Sequence, residues 1–135
     1  MKTYKVKKIV RGNVQAEAIV CPHSFSFLGD IDLDTAEIII DNSKNKGISI
    51  TGKILIFDES KGSSGGSTVL ITLAGQGKAP KAIVSVKPAD FNLVEGAIVS
   101  KVPYASDIDI ASLNDIKTGK LINLNLDEGT LTVLD

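Results

Sequence analysis

The chain has 135 residues, of which 43% are hydrophobic and 23% are charged, and its formal net charge is −1. This length fits one domain spanning residues 1–135, and the composition excludes a disordered tail. No apolar run approaches the roughly 18 residues that a membrane-spanning helix needs. One cysteine and one histidine exclude an internal disulfide framework and argue against an all-protein zinc site. We therefore expect a cytoplasmic protein that binds neither a membrane nor a metal.

The beginning of the chain predicts two strands. Residues 4–10 and 14–20 show strand patterns, and residues 11–13 predict a turn between them. Residues 1–11 carry five positive charges and no negative ones, which raises the alternative of a basic arm that binds nucleic acid. The apolar residues between these charges favour a strand with one solvated face, and aromatic stacking platforms for single strands are absent. We therefore expect no nucleic-acid binding.

The middle of the chain contains its strongest strand pattern. Residues 21–40 are irregular in pattern, and residues 41–46 are polar and typical of a turn. Residues 48–57, ISITGKILIF, predict a strand whose second half is apolar enough to be buried on both faces. A Gly/Ser-rich stretch at residues 60–68 follows this strand directly.

Alternating strands and helices then predict a parallel layer. A helical pattern begins at Val69 and ends at glycines before Pro80. Residues 81–86 predict a strand, 88–96 a short helix and 97–102 another strand, which is the order of a βαβ unit. Residues 120–135 alternate on both sides of an Asp-Glu-Gly turn and predict a terminal hairpin. The fold class is therefore α/β, with more strand than helix.

The stretch 60–68 is the sharpest local feature, and two interpretations of it are open. A Gly/Ser-rich sequence is typical of a flexible loop or linker. However, this stretch connects a buried strand to a helix, and ligands of open α/β sheets bind at that edge. Backbone N–H groups at the helix start, approached closely through the glycines, could hold a phosphate or carboxylate or stabilise a deprotonated serine. The sequence GSSGGST lacks the final lysine of a P-loop.

Several blocks of the sequence, in this order, resemble the swivel domain of the aconitase X family. They cover roughly residues 12–102 and are SFLGDID with DTAEIIID, then SITGKILIFDESKGSSGGSTVL, then GKAPKAIVSVKPADFNLVEGAIVS. The resemblance implies a swivelling three-layer β/β/α fold, which agrees with the strand-rich α/β pattern.

The resemblance also implies a function. Chains of this kind resemble the small subunit of a two-chain hydro-lyase whose large subunit carries an iron–sulfur cluster. The implied partner is therefore a large catalytic subunit in a heterodimer, with no cofactor bound by this chain, because Cys21 alone cannot supply several thiolates. The implied substrate is a phosphorylated hydroxy acid, mevalonate 5-phosphate, which loses water to give trans-anhydromevalonate 5-phosphate for isoprenoid synthesis.

The resemblance places the catalytic base in the Gly/Ser-rich stretch. In aconitase-like enzymes the first serine of the Gly-Ser-Ser loop removes the proton, and this role maps onto Ser63. The sequence departs from the family pattern at Asp30, where a second glycine is usual, and at Lys61, where an arginine is usual. The candidate substrate-binding residues around the serine are Lys61, Gly62, Ser64, Gly65 and Gly66.

The sequence leaves other functions and sites open. Relatives fused to the large chain dehydrate hydroxyprolines, so another hydroxy acid remains open as substrate. A small-anion-binding or scaffold module without catalysis could use the same loop. Cys21 and His23 lack further metal ligands and favour plain packing or loop roles, and the alternating Asp30, Asp32 and Asp34 lack the glutamate of a calcium loop and favour a solvated turn.

Overall fold

The computed structural model describes residues 1–41, 43–61 and 65–134. Within these ranges the chain forms eight strands and three helices. The strands are Lys2–Lys5 (β1), Lys7–Val10 (β2), Asn13–Phe25 (β3), Ile54–Ser60 (β4), Ala82–Ser85 (β5), Tyr104–Ser106 (β6), Leu121–Asn125 (β7) and Thr130–Val133 (β8). The helices are Gly65–Gly75 (α1), Phe91–Ser100 (α2) and Ser112–Asp115 (α3).

The described strands form a continuous order, β1-β8-β7-β3-β4-β5-β6-β2. Strands β3, β4, β5 and β6 are parallel neighbours, and helices α1 and α2 make the two crossovers among the last three. The remaining pairs are antiparallel. The predicted parallel βαβ layer and the α/β class are therefore confirmed.

Two apolar cores on opposite faces of β4 define the layers. Leu55 and Phe57 pack in the core that contains α1 and α2, whereas Ile54 and Ile56 pack in the core that contains β1, β7 and β8. All four side chains are fully buried, because the strand is covered on both faces. The resulting order of sheet, sheet and helices confirms the expected three-layer β/β/α fold.

The predicted strand at residues 4–10 is two strands on opposite edges of the strand order. β1 pairs with β8 and β2 pairs with β6, so the chain passes at Val6 from one end of the strand order to the other. The Val6 N–H donates to the carbonyl oxygen of Gly129 at 3.0 Å, which ties the change of direction to the turn between β7 and β8. The two edges of the sheet are thus joined by one residue of chain.

Two strand boundaries differ from the prediction. Residues 48–53 do not extend β4, because Gly52 lies in a turn and has φ of 70°. The Gly52 N–H donates to the Ala79 carbonyl. Strand β3 continues past residue 20 to Phe25, where the sequence suggested irregular structure. Glu17 pairs with Leu121 at the start of β7, and beyond Glu17 strand β3 pairs only with β4.

The predicted strand at residues 97–102 is wrong, since residues 97–100 complete α2. Asp90 caps this helix by accepting the Asn92 N–H at 3.1 Å, and Lys101 ends it in the left-handed conformation with φ of 58°. Ile98 and Val99 produced the strand pattern, but they lie on the exposed side of the helix. The strand that follows is β6, which begins at Tyr104.

The terminal hairpin is confirmed. β7 and β8 pair antiparallel from Ile122 with Val133 to Asn125 with Thr130, and Gly129 has the positive φ that its turn requires.

Among the described residues, no helix is long and apolar enough to cross a membrane.

Candidate functional site

The candidate site lies at the carboxyl edge of the parallel sheet, between β4 and α1. β4 ends at Ser60 and α1 begins at Gly65, so the four residues 61–64, here called the glycine loop, connect the strand to the helix N-terminus. The predicted base Ser63 and the predicted substrate-binding residues Gly62 and Ser64 lie outside the described residues. The end of β4 and the start of α1 lie at the carboxyl edge of the parallel strands, where α/β proteins bind ligands.

Lys61 ties the start of the glycine loop to the segment that follows β3. Its backbone N–H donates to the Phe25 carbonyl at 3.0 Å, and its Nζ lies 3.1 Å from Asp30 Oδ2. The same Asp30 oxygen accepts the Ser26 N–H at 2.8 Å. The Lys61 side chain is 47% exposed and that of Asp30 is 14% exposed, so a half-exposed cation is paired with a mostly buried carboxylate.

Asp30 and Lys61, two of the residues at which the sequence was expected to depart from the family pattern, contact each other. The structure joins them in one ion pair. Only the fold reveals this pairing, because 31 positions separate the two residues in the sequence.

Glycine at position 65 lets the helix start approach the same segment. A Cβ built at Gly65 would lie 2.5 Å from Leu28 Cδ2, whereas a Cβ at Gly66 would meet nothing within 4 Å. Leu28 thus packs directly against the first turn of α1. The predicted residues Lys61 and Gly65 are both held by residues 26–30, on the two sides of the glycine loop.

Asp90 is a residue of this region that the sequence analysis did not select. The Ser60 hydroxyl donates to Asp90 Oδ2 at 2.9 Å, while Asp90 Oδ1 caps α2. One carboxylate therefore joins the end of β4 to the start of the second helix. An aspartate immediately before a helical pattern is the signal that could have identified it as a cap, but the bond to Ser60 depends on the tertiary fold.

Close packing between the two long helices sets the position of α1. Gly96 of α2 lies against Ser67 in the first turns of α1, and the Gly96 N–H donates to the Ser67 hydroxyl at 2.9 Å. A Cβ at Gly96 would lie 2.8 Å from Ser67 Cα, which is backbone and cannot move aside alone.

In Gly96→Ala the added methyl group forces the helices apart at a cost of about 1–3 kcal/mol. Because the higher helix propensity of alanine offsets roughly 1 kcal/mol of this cost, we predict that the free energy of unfolding falls by up to about 2 kcal/mol. Gly75→Ala is the matched control, since a Cβ there meets nothing within 4 Å. Urea unfolding of both variants measures the difference, and equal stabilities would contradict the packing argument.

Comparison with known proteins identifies the family. The family model described as the aconitase X swivel domain matches residues 3–133. The chain belongs to the aconitase X swivel domain family. It is 42% identical over 129 residues to the phosphomevalonate dehydratase small subunit of Thermococcus gammatolerans, covering 96% of this chain and 95% of that one. The corresponding subunit of Pyrococcus horikoshii is 42% identical over 130 residues, covering 96% and 94%.

A solved structure agrees with this membership. The crystal structure of Thermococcus kodakaraensis aconitase X in its holo form superposes with a TM-score of 0.87 at 36% identity and covers 100% of both chains. Residues 1–11 and 103–135, which lay outside the sequence blocks that suggested the family, are thus part of the same fold. The predicted resemblance to the aconitase X swivel domain is confirmed.

Two of the sequence blocks that suggested the family lie at opposite ends of the parallel strands. The segment SFLGDID contacts both sides of the glycine loop, through Asp30 and Leu28. The block GKAP precedes β5 at the other end, where the Thr51 hydroxyl donates to the Lys78 carbonyl at 2.9 Å. The first block therefore belongs to the candidate site, and the second closes the turn before β4.

The donor set of this swivel domain does not suit an iron–sulfur cluster. Its one cysteine, Cys21, is fully buried, and burial raises the pKa of its thiol to about 11. A thiol with this pKa stays protonated at neutral pH, whereas a cluster needs several thiolates. His23 Nδ1 lies 2.8 Å from the Ser24 carbonyl oxygen, and Asp32 Oδ1 accepts the Asp34 N–H in a local turn. No group of three or more His, Cys, Asp or Glu among the described residues could hold a metal ion.

Proposed function

We propose that this chain is the small subunit of a phosphomevalonate dehydratase, a hydro-lyase that converts mevalonate 5-phosphate to trans-anhydromevalonate 5-phosphate. The observation that carries the proposal is identity of 42% to small subunits of that name over 96% of the chain. The alignments also cover 95% and 94% of those subunits.

Removal of water from a hydroxy acid needs a base for the carbon-bound proton and an acid for the departing hydroxyl. We assign the base to Ser63 of the glycine loop. A serine acts as a base only when its oxyanion is stabilised, and the loop leads into α1, whose first N–H groups and positive dipole end supply such stabilisation. The Lys61 ammonium, anchored by Asp30 next to the loop, adds a positive charge.

The same loop provides groups that suit an anionic substrate. Backbone N–H groups of a glycine-rich helix start bind phosphates and carboxylates. We assign this binding to the predicted set of Lys61, Gly62, Ser64, Gly65 and Gly66. Lys61 is the one member of the set with a cationic side chain, and this side chain is half-exposed.

We propose that the acid for the departing hydroxyl belongs to a large subunit. An iron–sulfur cluster on that subunit would supply Lewis-acid chemistry when bound, and the single buried cysteine of this chain cannot hold one. The site is therefore complete only in the heterodimer, with the base on one chain and the acid on the other.

Substitution of Lys61 by methionine is expected to raise KM about tenfold or more and to lower kcat less. A charge-assisted hydrogen bond to an anionic substrate contributes about 1.5–3 kcal/mol, and its loss acts mainly on binding. Steady-state kinetics of the reconstituted heterodimer measures both constants. Lys61→Arg should retain most of the affinity. Lys53→Met is the matched control, because Lys53 precedes the other end of β4, where it pairs with Glu17. An unchanged KM in Lys61→Met would refute the assignment of Lys61 to substrate binding.

The proposal is tested by reconstitution. The small subunit, the cluster-loaded large subunit and their mixture are each incubated with mevalonate 5-phosphate, and the product is detected by mass spectrometry. We expect product from the mixture alone. Mevalonate without its phosphate and a hydroxyproline are the substrate controls. Turnover of the hydroxyproline in preference to the phosphate ester, or no turnover by the mixture, would contradict the proposed function.

A further inference from the structure

A pocket with a volume of about 390 Å³ lies along β3. Val20 of β3 and Ile116 form part of its wall, and both belong to the core that contains β1, β7 and β8. The helix that follows the glycine loop packs in the other core. The lining of the pocket includes none of Lys61, Gly65 and Asp90. The pocket is therefore built from other residues than the candidate site.

The pocket borders the part of β3 that extends beyond its antiparallel neighbour. β7 pairs with β3 only as far as Glu17, so no strand lies beside Val20 on that side. Side chains replace the strand: Thr118 Oγ1 accepts the Val20 N–H at 3.0 Å, and Asn45 Nδ2 donates to the Val20 carbonyl at 2.6 Å. Pro22 has no N–H with which to pair a further strand. The two segments that carry Asn45 and Thr118 thus line the pocket from positions fixed on β3.

The lining of the pocket carries positive charge without matching negative charge. Lys44 and Lys117 line it with exposed side chains, and none of its described lining residues is acidic. Neither lysine forms a salt bridge within the part of the chain that the structure describes. The acidic residues nearest to them in the sequence are paired with other lysines, in the ion pairs Asp41–Lys46 and Asp115–Lys2. The pocket therefore favours an anion.

His23 adds an unpaired hydrogen-bonding group to the lining. Its Nδ1 lies 2.8 Å from the Ser24 carbonyl oxygen, which can only accept a hydrogen bond, so Nδ1 carries a proton. Its Nε2 is buried and has no hydrogen-bond partner among residues 1–41, 43–61 and 65–134. Buried polar groups of native proteins are nearly always paired. A ligand bound beside the ring would supply the partner that the fold leaves out.

We propose that this pocket binds a small organic phosphate with an apolar body. A phosphate monoester carries close to two negative charges at neutral pH, which match the two lysines, whereas a carboxylate carries one. The phosphate is assigned to Lys44, Lys117 and Nε2 of His23. The apolar body is assigned to the apolar part of the wall, formed by Val20, Pro22, Leu113 and Ile116. A volume of about 390 Å³ is in the usual range of small-molecule pockets.

Binding of pentyl phosphate to the isolated chain tests the inference. Isothermal titration calorimetry at constant ionic strength measures its dissociation constant, which we expect to be about 1 mM or below. Methyl phosphate lacks the apolar body and pentanoate lacks one charge, so each should bind about tenfold more weakly or worse. No binding of pentyl phosphate at about ten times the expected constant, or equal affinities for the three compounds, would overturn the inference.

Variants of the lining locate the ligand. Lys44→Met and Lys117→Met should each raise the dissociation constant of pentyl phosphate about tenfold or more. His23→Asn keeps a donor for the Ser24 carbonyl but removes Nε2, and it should raise the constant about fivefold or more. Lys81→Met is the matched control, because this exposed lysine precedes β5 and does not line the pocket; we expect less than a twofold change. Circular dichroism with thermal unfolding verifies that each variant folds.

Lys61→Met separates the pocket from the glycine loop, where phosphate binding is also proposed. The inference requires that the lining variants weaken a binding event that Lys61→Met leaves within twofold of wild type. Loss of binding in Lys61→Met, with wild-type affinity in the lining variants, would place the ligand at the glycine loop and overturn the inference. The proposed function is tested separately by turnover of the heterodimer. Either result can therefore fail while the other stands.

Discussion

Replacing Ser63 with alanine is expected to lower kcat of the reconstituted heterodimer about 10²–10⁴-fold, the range for loss of a general base. The proton acceptor disappears, while the groups that hold the substrate and the partner remain. KM and the affinity for the large subunit should therefore change little. Initial rates at saturating mevalonate 5-phosphate measure the effect, and circular dichroism verifies that the variant folds.

Ser64→Ala is the matched control for this prediction, because it removes a neighbouring hydroxyl from the same loop. We expect it to act mainly on KM, since Ser64 is assigned to substrate binding. A Ser63→Ala enzyme with near-normal turnover would exclude Ser63 as the base. Equal losses of kcat in both variants would show instead that the loop needs both hydroxyls for its conformation.

Phe57→Ala is expected to lower the free energy of unfolding by about 3–5 kcal/mol, the usual range for a buried phenylalanine. Phe57 is fully buried in the core between the parallel sheet and the helices, and its ring stacks on that of Phe25 at 5.5 Å between centroids. The truncation removes the contacts of both β3 and β4 at the edge that carries the glycine loop. Urea unfolding of the isolated chain measures the loss.

Phe91→Ala provides the control for the same substitution at an exposed position. Phe91 is 86% exposed, so the isolated chain should change in stability by less than about 0.5 kcal/mol. A small loss in Phe57→Ala, close to that of Phe91→Ala, would mean that the core at this edge rearranges to fill the cavity.

The sequence was sufficient to predict the layers of the fold. The run at residues 54–57 is apolar at every position, and both of its faces are in fact buried in different cores. Alternation around residues 127–129 predicted the hairpin correctly. Both patterns reflect which side chains of a strand are buried, so they predict strands reliably.

Boundaries that depend on turns or on distant partners were not predictable. Ile98 and Val99 have the β-branched side chains of a strand, but the Asp90 cap and the packing of Gly96 against Ser67 keep them helical. The division of the first strand at Val6 requires both edges of the sheet, and these exist only in the folded chain. Local propensity is overridden by tertiary packing in both cases.

The candidate site was selected from the sequence, but the contacts of the described residues beside it were not predictable. A Gly/Ser-rich stretch between a buried strand and a helix predicted the place of the glycine loop. The pairs Lys61 with Asp30 and Ser60 with Asp90 join residues about 30 positions apart, and no spacing pattern indicates them. The exposure of Phe91 was not predictable from the sequence, because an apolar residue in a helical pattern is usually part of the core.

A competition titration tests most directly whether the two chains share one active site. The large subunit is held at a limiting concentration with wild-type small subunit, and Ser63→Ala chain is added while mevalonate 5-phosphate turnover is followed. We expect turnover to fall to about half when the two small chains are equimolar, and close to zero at excess variant, because the variant occupies the partner without supplying a base. Undiminished turnover, with the variant shown by a tag to have replaced the wild-type chain in the complex, would contradict the shared site.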